Sequence, residues 1–166
     1  MRMKVYLAAG ALAAMLLGGC DRVNRPQLID KPAPEFALSD GVTSVDLAKL
    51  RGRVVVLNLW FSTCPPCLEE LPSLLRMQWD LPQVQVLAVS TDQDDAAYRR
   101  FLVRNNVNLM TVRDADFKVN KLYGTEKFPE TYIIDKHGVL RRKFVDAQNW
   151  TSADILAYLK KLADES

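Results

Sequence analysis

The sequence predicts an α/β domain in which helices cover a central β-sheet, and three observations support this prediction. Short apolar runs typical of buried strands alternate with stretches of helical periodicity along the chain. Near the C-terminus, residues 135–138 have the composition of a hairpin turn between two further strands. Apolar residues make up 49% of the 166-residue chain, which is enough for one domain with a sizeable core.

The first predicted elements are short and precede the main sheet. Residues 33–38 are expected to form a strand and residues 42–45 a return strand, because a turn signal at residues 39–41 separates them. Together these segments predict an N-terminal β-hairpin. Residues 46–50 are then expected to form one helical turn that ends at Gly52.

The central strand is predicted over residues 53–61, because the run 54–59 is almost entirely apolar and typical of a strand buried on both faces. A helix follows Cys64 and extends to about residue 78. Pro72 lies inside this helix, and we expect a kink there because proline cannot donate to the helical hydrogen-bond ladder.

The second half of the chain continues the alternation of strands and helices. In chain order, it is predicted to contain a strand at 84–89, a helix at 94–105, a short strand at 109–112, a helix at 116–123, and strands at 131–134 and 139–145. The last helix begins at a capping box in residues 151–154. Its apolar stripe, which we expect to dock on the core, contains Ile155, Leu156, Leu159 and Leu162.

Two cysteines, Cys64 and Cys67, lie at the junction between the predicted central strand and the helix after it. The free N–H groups and the positive dipole end of that helix favour a thiolate at Cys64, and a thiolate is the species that attacks disulfides. Pro65 and Pro66 fit the first helical positions, where no N–H is needed, and they stiffen the loop between the sulfurs. The pattern indicates redox chemistry.

Two other uses of this cysteine pair are a structural zinc site and a purely structural disulfide. Structural zinc needs about four ligands, and the chain offers only Cys20 and His137 besides the pair. A structural disulfide that closes so short a loop would remove little chain entropy. Redox chemistry is therefore the favoured interpretation.

The first twenty residues have the pattern of a bacterial lipoprotein signal peptide. Arg2 and Lys4 precede an apolar run over residues 5–17, and small residues then lead to Cys20. An uncleaved transmembrane anchor is the alternative, but the run is shorter than the roughly 20 residues that spanning requires. We therefore predict that Cys20 carries lipid, which leaves only two thiols in the mature protein.

This interpretation divides the chain into three parts: a signal peptide over 1–19, a lipid attachment site and tether over 20–32, and a folded domain over 33–166. Asp21 follows the lipid site, and in similar Gram-negative lipoproteins an aspartate there favours retention in the inner membrane. Removal of Arg2 and Lys4 leaves equal numbers of basic and acidic residues. No basic patch indicates nucleic acid as a partner.

The chain also resembles the TlpA/ResA type of thioredoxin-fold thiol-disulfide oxidoreductases, over roughly residues 32–164. The motifs that carry the resemblance are Asn58-Leu59-Trp60, Cys64-Pro65-Pro66-Cys67, Glu70-Leu71-Pro72, Tyr123-Gly124 and the segment 128–138. The resemblance implies a thioredoxin-like fold with a central mixed β-sheet flanked by helices. It also implies that no cofactor or metal is needed beyond the Cys64–Cys67 disulfide.

The resemblance assigns roles residue by residue. Cys64 would be the attacking thiolate and Cys67 the resolving thiol. Pro129 matches the family's cis-proline, whose geometry would leave the Phe128 backbone free to pair with an extended substrate; an ordinary loop proline is the alternative. The implied substrate-binding surface consists of Trp60, Thr63, Pro65, Pro66, Phe128 and Pro129.

Glu70 matches a family glutamate one helical turn beyond Cys67, where a partly desolvated carboxylate could move protons. The alternative is an exposed helix-surface charge like its neighbour Glu69. Thr63 replaces the tryptophan common in close relatives, so we expect a more open rim and a hydroxyl near the Cys64 sulfur. Thioredoxin has an acid where this chain has Asn58, so proton handling would fall to Glu70 or water.

The implied function is reduction of protein disulfides at the extracytoplasmic face of the inner membrane. A membrane thiol transporter of the DsbD or CcdA kind would supply electrons, and apocytochrome c is one candidate substrate.

The alternatives are a thiol peroxidase of the peroxiredoxin class, a copper-binding metallochaperone, and a non-catalytic lipoprotein. Peroxidases surround their cysteine differently, and copper chaperones use a wider cysteine spacing with a distant histidine. Sequence does not fix the direction of electron transfer, which depends on reduction potential.

Overall fold

The computed structural model describes residues 28–165. In this part of the chain, the elements are β1 (Lys31–Pro32), β2 (Ala37–Ser39), β3 (Ser44–Asp46), a 3-10 turn (Leu47–Leu50), β4 (Val54–Trp60), α1 (Pro65–Asp80), β5 (Val84–Ser90), α2 (Asp95–Arg104), β6 (Met110–Arg113), α3 (Lys118–Tyr123), β7 (Glu130–Ile134), β8 (Val139–Val145) and α4 (Ala153–Asp164).

Six of these strands form one mixed sheet in the order β1-β8-β7-β4-β5-β6. Strand β4 is central, because it pairs in parallel with β5 and antiparallel with β7. Strands β2 and β3 form a separate antiparallel hairpin. The predicted thioredoxin-like fold, with a mixed sheet and an N-terminal hairpin, is confirmed.

The central strand is buried along its whole length because a hydrophobic layer covers each face. Val54 and Val56 belong to the core cluster that includes residues of α1 and α4, whereas Val55 and Leu57 belong to the cluster on the α3 side. Burying an aliphatic side chain of this size contributes about 1.5–3 kcal/mol. This burial fixes the end of β4, and the cysteine loop begins there.

The N-terminal boundary differs from the prediction. The sequence predicts Lys31 and Pro32 as part of the tether, but they pair with β8 as a short edge strand. The strand predicted over 33–38 is shorter and begins at Ala37. A two-residue segment that includes a proline has no periodic pattern in the sequence. Its pairing depends on the open edge of β8, which is known only from the structure.

The hairpin of β2 and β3 packs Val45 into the core, and the carboxylate of Asp40 also bonds it to β6 and α2. Asp40 accepts hydrogen bonds from the backbone N–H groups of Val42 and Thr43 in its own turn and from that of Arg113 in β6. It also forms an ion pair with Arg99 of α2 at 3.5 Å, and its side chain is only 2% exposed.

The predicted helix boundaries hold to within a few residues. Helix α3 ends at Gly124, which has a left-handed φ of 66°, as the sequence predicts. The capping box predicted for α4 is wrong, because Ser152 is the N-cap and makes no side-chain capping bond. The Thr151 hydroxyl instead donates to the Asn149 side chain at 2.7 Å.

The predictions for the signal peptide, for lipid on Cys20 and for Asp21 concern residues outside the described range. Between residues 28 and 165, every helix is too short or too polar to cross a lipid bilayer.

Candidate active site

The two motif cysteines form a disulfide at the beginning of α1. Their Cα atoms are 5.3 Å apart, and the side chains are 2% and 3% exposed. Cys64 is the N-cap of α1, and its sulfur accepts the N–H of Cys67 at 3.3 Å. Pro65 and Pro66 occupy the first helical positions, as predicted. In the reduced protein, this N–H and the helix dipole would stabilise a thiolate at Cys64.

The loop that carries Cys64 is held by Asp92, which lies just after β5. The Asp92 carboxylate accepts both the backbone N–H of Ser62 at 2.9 Å and its hydroxyl at 2.6 Å. The hydroxyl of Ser90 donates to the same carboxylate at 2.6 Å. Because Ser62 lies two residues before Cys64, these bonds position the strand-to-helix turn.

The loop before β7 lies beside the cysteine loop. The Phe128–Pro129 peptide bond is cis, so the predicted geometry at Pro129 is confirmed. The rings of Phe128 and Phe61 pack edge to face with centroids 5.2 Å apart. This contact joins the proline loop to the residues directly before Cys64, whereas the substrate-binding role of Pro129 stays a prediction.

Glu70 is buried, with 3% of the residue exposed. One carboxylate oxygen accepts the Asn58 side-chain amide at 2.8 Å, and the other accepts the Gln148 backbone N–H at 3.1 Å and the Trp150 indole N–H at 2.9 Å. Burial raises the pKa of Glu70 above its ordinary value, although these three donors lower it. Glu69 is exposed, so the surface-charge alternative describes Glu69 and not Glu70.

Glu70 and Cys67 line the same small internal cavity, which also contacts Asn58 and Trp60 and has room for about one water molecule. On its other side, Glu70 borders an open surface groove between α1 and the loop after β8. Glu70 therefore lies between Cys67 and the surface groove.

Trp60 is placed differently from the prediction. It is 4% exposed and packs against Tyr98 and Phe101 with ring centroids 6.3 and 5.4 Å away. Its indole N–H has no hydrogen-bond partner among the described residues. A protein substrate cannot reach this side chain, because the last residue of a doubly covered strand belongs to the core.

The remaining predicted surface residues lie around the disulfide. Thr63 and Pro65 are exposed, and Pro66 and Phe128 are half-buried. The hydrogen bond that the Cys64 sulfur accepts comes from Cys67 and not from the Thr63 hydroxyl, which corrects the expectation for Thr63.

Sequence reasoning missed three residues of this site, namely Asp92, Gln148 and Trp150. A carboxylate directly after a buried strand signals a loop residue, but nothing local connects it to Ser62. The partners Gln148 and Trp150 lie 78 and 80 positions from Glu70 in the sequence, and only the docking of the loop after β8 brings them together.

The candidate metal ligand His137 is exposed in its hairpin turn, as expected. Between residues 28 and 165, no group of three or more His, Cys, Asp or Glu side chains is arranged to hold a metal ion.

A thioredoxin-like fold with a CXXC disulfide at a helix N-terminus and a cis-proline loop beside it defines a class of dithiol-disulfide proteins. The sequence model of the AhpC/TSA family matches residues 29–143. "Thiol-disulfide oxidoreductase ResA" of Bacillus thuringiensis is 28% identical over 161 residues, which are 95% of this chain and 92% of that protein. "Thiol:disulfide interchange protein DsbE" of Pseudomonas aeruginosa is 32% identical and covers 83% of this chain and 79% of its own.

Solved structures agree with these relatives. A DsbE-type protein from Chlorobium tepidum superposes with a TM-score of 0.74 at 26% identity and covers 80% of this chain and 95% of its own. The exposed lipoprotein thioredoxin Etrx1 of Streptococcus pneumoniae gives 0.66 at 28% identity, with 77% and 99% covered. The chain therefore belongs to the AhpC/TSA family and is a thiol-disulfide oxidoreductase of the ResA/DsbE type.

Proposed function

We propose that this protein is an extracytoplasmic, membrane-tethered reductase of protein disulfides, in which Cys64 attacks and Cys67 resolves. The observation that carries the proposal is the position of the disulfide: Cys64 caps α1, and Cys67 lies one turn inside the helix beside a buried carboxyl group. This arrangement gives the two sulfurs different surroundings. A dithiol that reduces other proteins needs such a difference, because its two thiols act in sequence.

In the proposed reaction, the reduced enzyme begins with a Cys64 thiolate and a Cys67 thiol. The Cys64 thiolate attacks a substrate disulfide, which forms a mixed disulfide and releases one substrate thiolate. Cys67 then loses its proton and attacks the Cys64 sulfur, which releases the second substrate thiolate. Two electrons pass to the substrate, and the enzyme is left with the Cys64–Cys67 disulfide.

Glu70 is the proposed acceptor of the Cys67 proton. It lines the same cavity as Cys67, and its pKa is raised by burial, so its basicity is closer to that of a base working near neutral pH. The surface groove on its far side would let Glu70 return the proton to solvent.

The rim around the disulfide suits an extended, partly apolar polypeptide. Leu68 is 39% exposed, Phe61 and Phe128 are half-buried, and Thr63 adds a small polar group. A substrate strand would lie along the backbone of Phe128. The haem-site cysteines of apocytochrome c, in an unfolded chain, are one candidate substrate.

Repeated reduction outside the cytoplasm requires a source of electrons, and a membrane thiol transporter of the DsbD or CcdA kind is the proposed donor. The proposed anchor is lipid on Cys20, with residues 1–19 as the signal peptide. One structural neighbour at 28% identity is itself described as an exposed lipoprotein, which supports this part of the proposal.

The deciding experiment is the reduction potential of the Cys64–Cys67 couple, measured on residues 21–166 equilibrated in a dithiothreitol or glutathione redox series. We expect a two-electron couple near that of thioredoxin, about −270 mV. A value near that of DsbA, about −120 mV, would identify an oxidant and would contradict the cytochrome-maturation role.

The same sample separates the alternative functions. Protein that shows no dithiol couple would contradict the oxidoreductase assignment, and copper binding should then be measured. Oxidation by hydrogen peroxide that is much faster than oxidation by a peptide disulfide would instead support the thiol peroxidase.

A further inference from the structure

Residues 146–150, which lie in the loop between β8 and α4, form a segment that bridges two parts of the active site. At one end, the backbone N–H of Asp146 donates to the carbonyl of Pro129 at 3.0 Å. At the other end, the backbone of Gln148 and the indole of Trp150 donate to one oxygen of Glu70 at 3.1 and 2.9 Å. The cysteine motif gives no indication of this segment, which contributes two of the three donors on the buried carboxylate.

We propose that Trp150 is a positioning residue that holds the Glu70 carboxylate through its indole N–H and thereby sets the pH range in which Cys67 can lose its proton. The inference rests on the proposed function, because it assumes that Glu70 accepts this proton. The effect on Glu70 itself, however, can be measured without that assumption.

The position of Trp150 is fixed from several sides. The residue is completely buried, and its ring packs edge to face against Phe144 with centroids 5.4 Å apart. Its backbone N–H donates to the hydroxyl of Ser73 at 3.1 Å, and that hydroxyl donates to the backbone carbonyl of Glu70 at 2.8 Å. The indole is therefore anchored to the same helix turn that carries the carboxylate it contacts.

Because of the electrostatic surroundings of Glu70, each hydrogen-bond donor to its carboxylate affects its pKa. The three groups that donate to it, from Asn58, Gln148 and Trp150, are all neutral. The titratable groups that line these two cavities together with Glu70 are Cys67 in the shared cavity and Glu69 on the groove side, and both would oppose a charge on Glu70 when ionised. Loss of a donor to a buried carboxylate favours its protonated form. Removing the indole N–H should thus raise the pKa of Glu70 further.

The test is Trp150→Phe in the full-length protein, which removes the N–H but keeps an aromatic ring in the core. Glu70 is followed by carboxyl-carbon NMR across pH 3–9, with Glu70→Gln used to assign its signal. We expect the midpoint of the Glu70 titration to rise by about one pH unit, the size of one hydrogen bond to a charged group. The pH profile for oxidation of the reduced protein by oxidised glutathione should move in the same direction.

Two control variants separate this effect from a general structural one. Trp79→Phe makes the same chemical change at a side chain that is 77% exposed, and it should move neither profile. Ser73→Ala removes the backbone anchor of Trp150 without touching the carboxylate oxygens, so it should lower thermal stability with a much smaller shift of the Glu70 titration.

A measurement on the unsubstituted protein covers the case in which Trp150→Phe does not fold. The indole N–H resonance of Trp150 should follow the Glu70 titration, and this dependence should vanish in Glu70→Gln. The proposal would be overturned if the Trp150 indole resonance did not follow the Glu70 titration, or if Trp150→Phe left the Glu70 titration unchanged. A shifted Glu70 titration with an unchanged oxidation profile would establish the contact and would refute the proton-accepting role in the proposed function.

Discussion

Two carboxylates, Asp92 and Glu70, lie near the two cysteines in contrasting surroundings. Asp92 is half-buried and binds the loop before Cys64 through the hydroxyl and the backbone N–H of Ser62, and it also accepts the hydroxyl of Ser90 at the end of β5. Glu70 is buried beside Cys67 and accepts three N–H groups from two separate parts of the chain, one from Asn58 in β4 and two from the segment 146–150. The first carboxylate holds a turn in place, whereas the second has surroundings that change its affinity for a proton.

Under the proposed function, the same chemical group serves geometry on one side of the disulfide and proton transfer on the other. Burial without a cation leaves the pKa of Glu70 raised despite three hydrogen bonds, because neutral donors do not fully compensate for lost hydration. A carboxyl group in that condition is suited to exchange a proton with Cys67.

The largest expected effect comes from Glu70→Gln. The amide cannot accept a proton, and its NH₂ group would face one of the donors that now bind the carboxylate. We expect the resolving step, measured as oxidation of the reduced protein by a peptide disulfide at pH 7, to slow by about 100-fold, within the range of general acid–base catalysis.

Glu69→Gln is the matched control, because the neighbouring glutamate is exposed and should leave the rate within about twofold of the unsubstituted protein. Equal rates in the two variants would show that Glu70 is only a buried structural group. Asp92 and Glu70 would then differ in burial and not in function.

The next largest effect is expected for Asp92→Ala. The buried hydroxyls of Ser62 and Ser90 and the Ser62 N–H would lose their acceptor, which should lower the free energy of unfolding by about 2 kcal/mol. The oxidation rate should fall only several-fold, with an unchanged pH profile, because the substitution loosens the turn and removes no proton acceptor. Urea unfolding and the same oxidation assay measure both quantities.

Asp94→Ala provides the control for this variant. Asp94 caps α2 by accepting the Ala97 N–H at 3.0 Å, so its loss should cost about 1 kcal/mol and should not change the oxidation rate. A shifted pH profile in Asp92→Ala would contradict the distinction between Asp92 and Glu70, since it would mean that Asp92 also takes part in proton transfer.

The elements that local pattern specifies were predictable from the sequence. The apolar run of β4 and the Cys-Pro-Pro-Cys motif after it specify a buried strand, a turn and a helix within one continuous stretch. The edge strand β1 was missed, because two residues have no periodicity of their own. The motif residue Trp60 was assigned to the surface, although it ends a strand that is covered on both faces.

The site was predictable only where its residues are close in sequence. Cys64, Cys67 and Glu70 lie within two helical turns, so their proximity follows from helix geometry. Asp92 and Trp150 are brought to the site by β5 and by the loop after β8, 30 and 80 positions from their partners. Such contacts depend on the order of the strands in the sheet and on how α4 docks against it.

The smallest expected effect concerns the pH dependence of stability, and it contrasts Glu70 with the hairpin anchor Asp40. Burial alone would raise the pKa of Asp40, but three backbone N–H groups and the charge of Arg99 outweigh it, so its pKa lies below the ordinary value. Asp40 therefore contributes stability above the pKa of the unfolded chain, near 3.9, and loses that contribution as the pH falls through its folded value.

For Glu70, the sign is reversed, because its folded pKa is raised. Its contribution to stability is greatest below the unfolded value, near 4.3, and is lost as the pH rises through the folded value. Asp40→Asn should thus flatten the decline in unfolding free energy below about pH 4, and Glu70→Gln should flatten the decline above it. Urea unfolding of the oxidised full-length protein between pH 3 and 7 measures both slopes. If the slope of unfolding free energy against pH changed in the same direction in both variants, the contrast between the two residues would be wrong. The neutral donors around Glu70 would then compensate for its burial as fully as Arg99 and the backbone N–H groups do for Asp40.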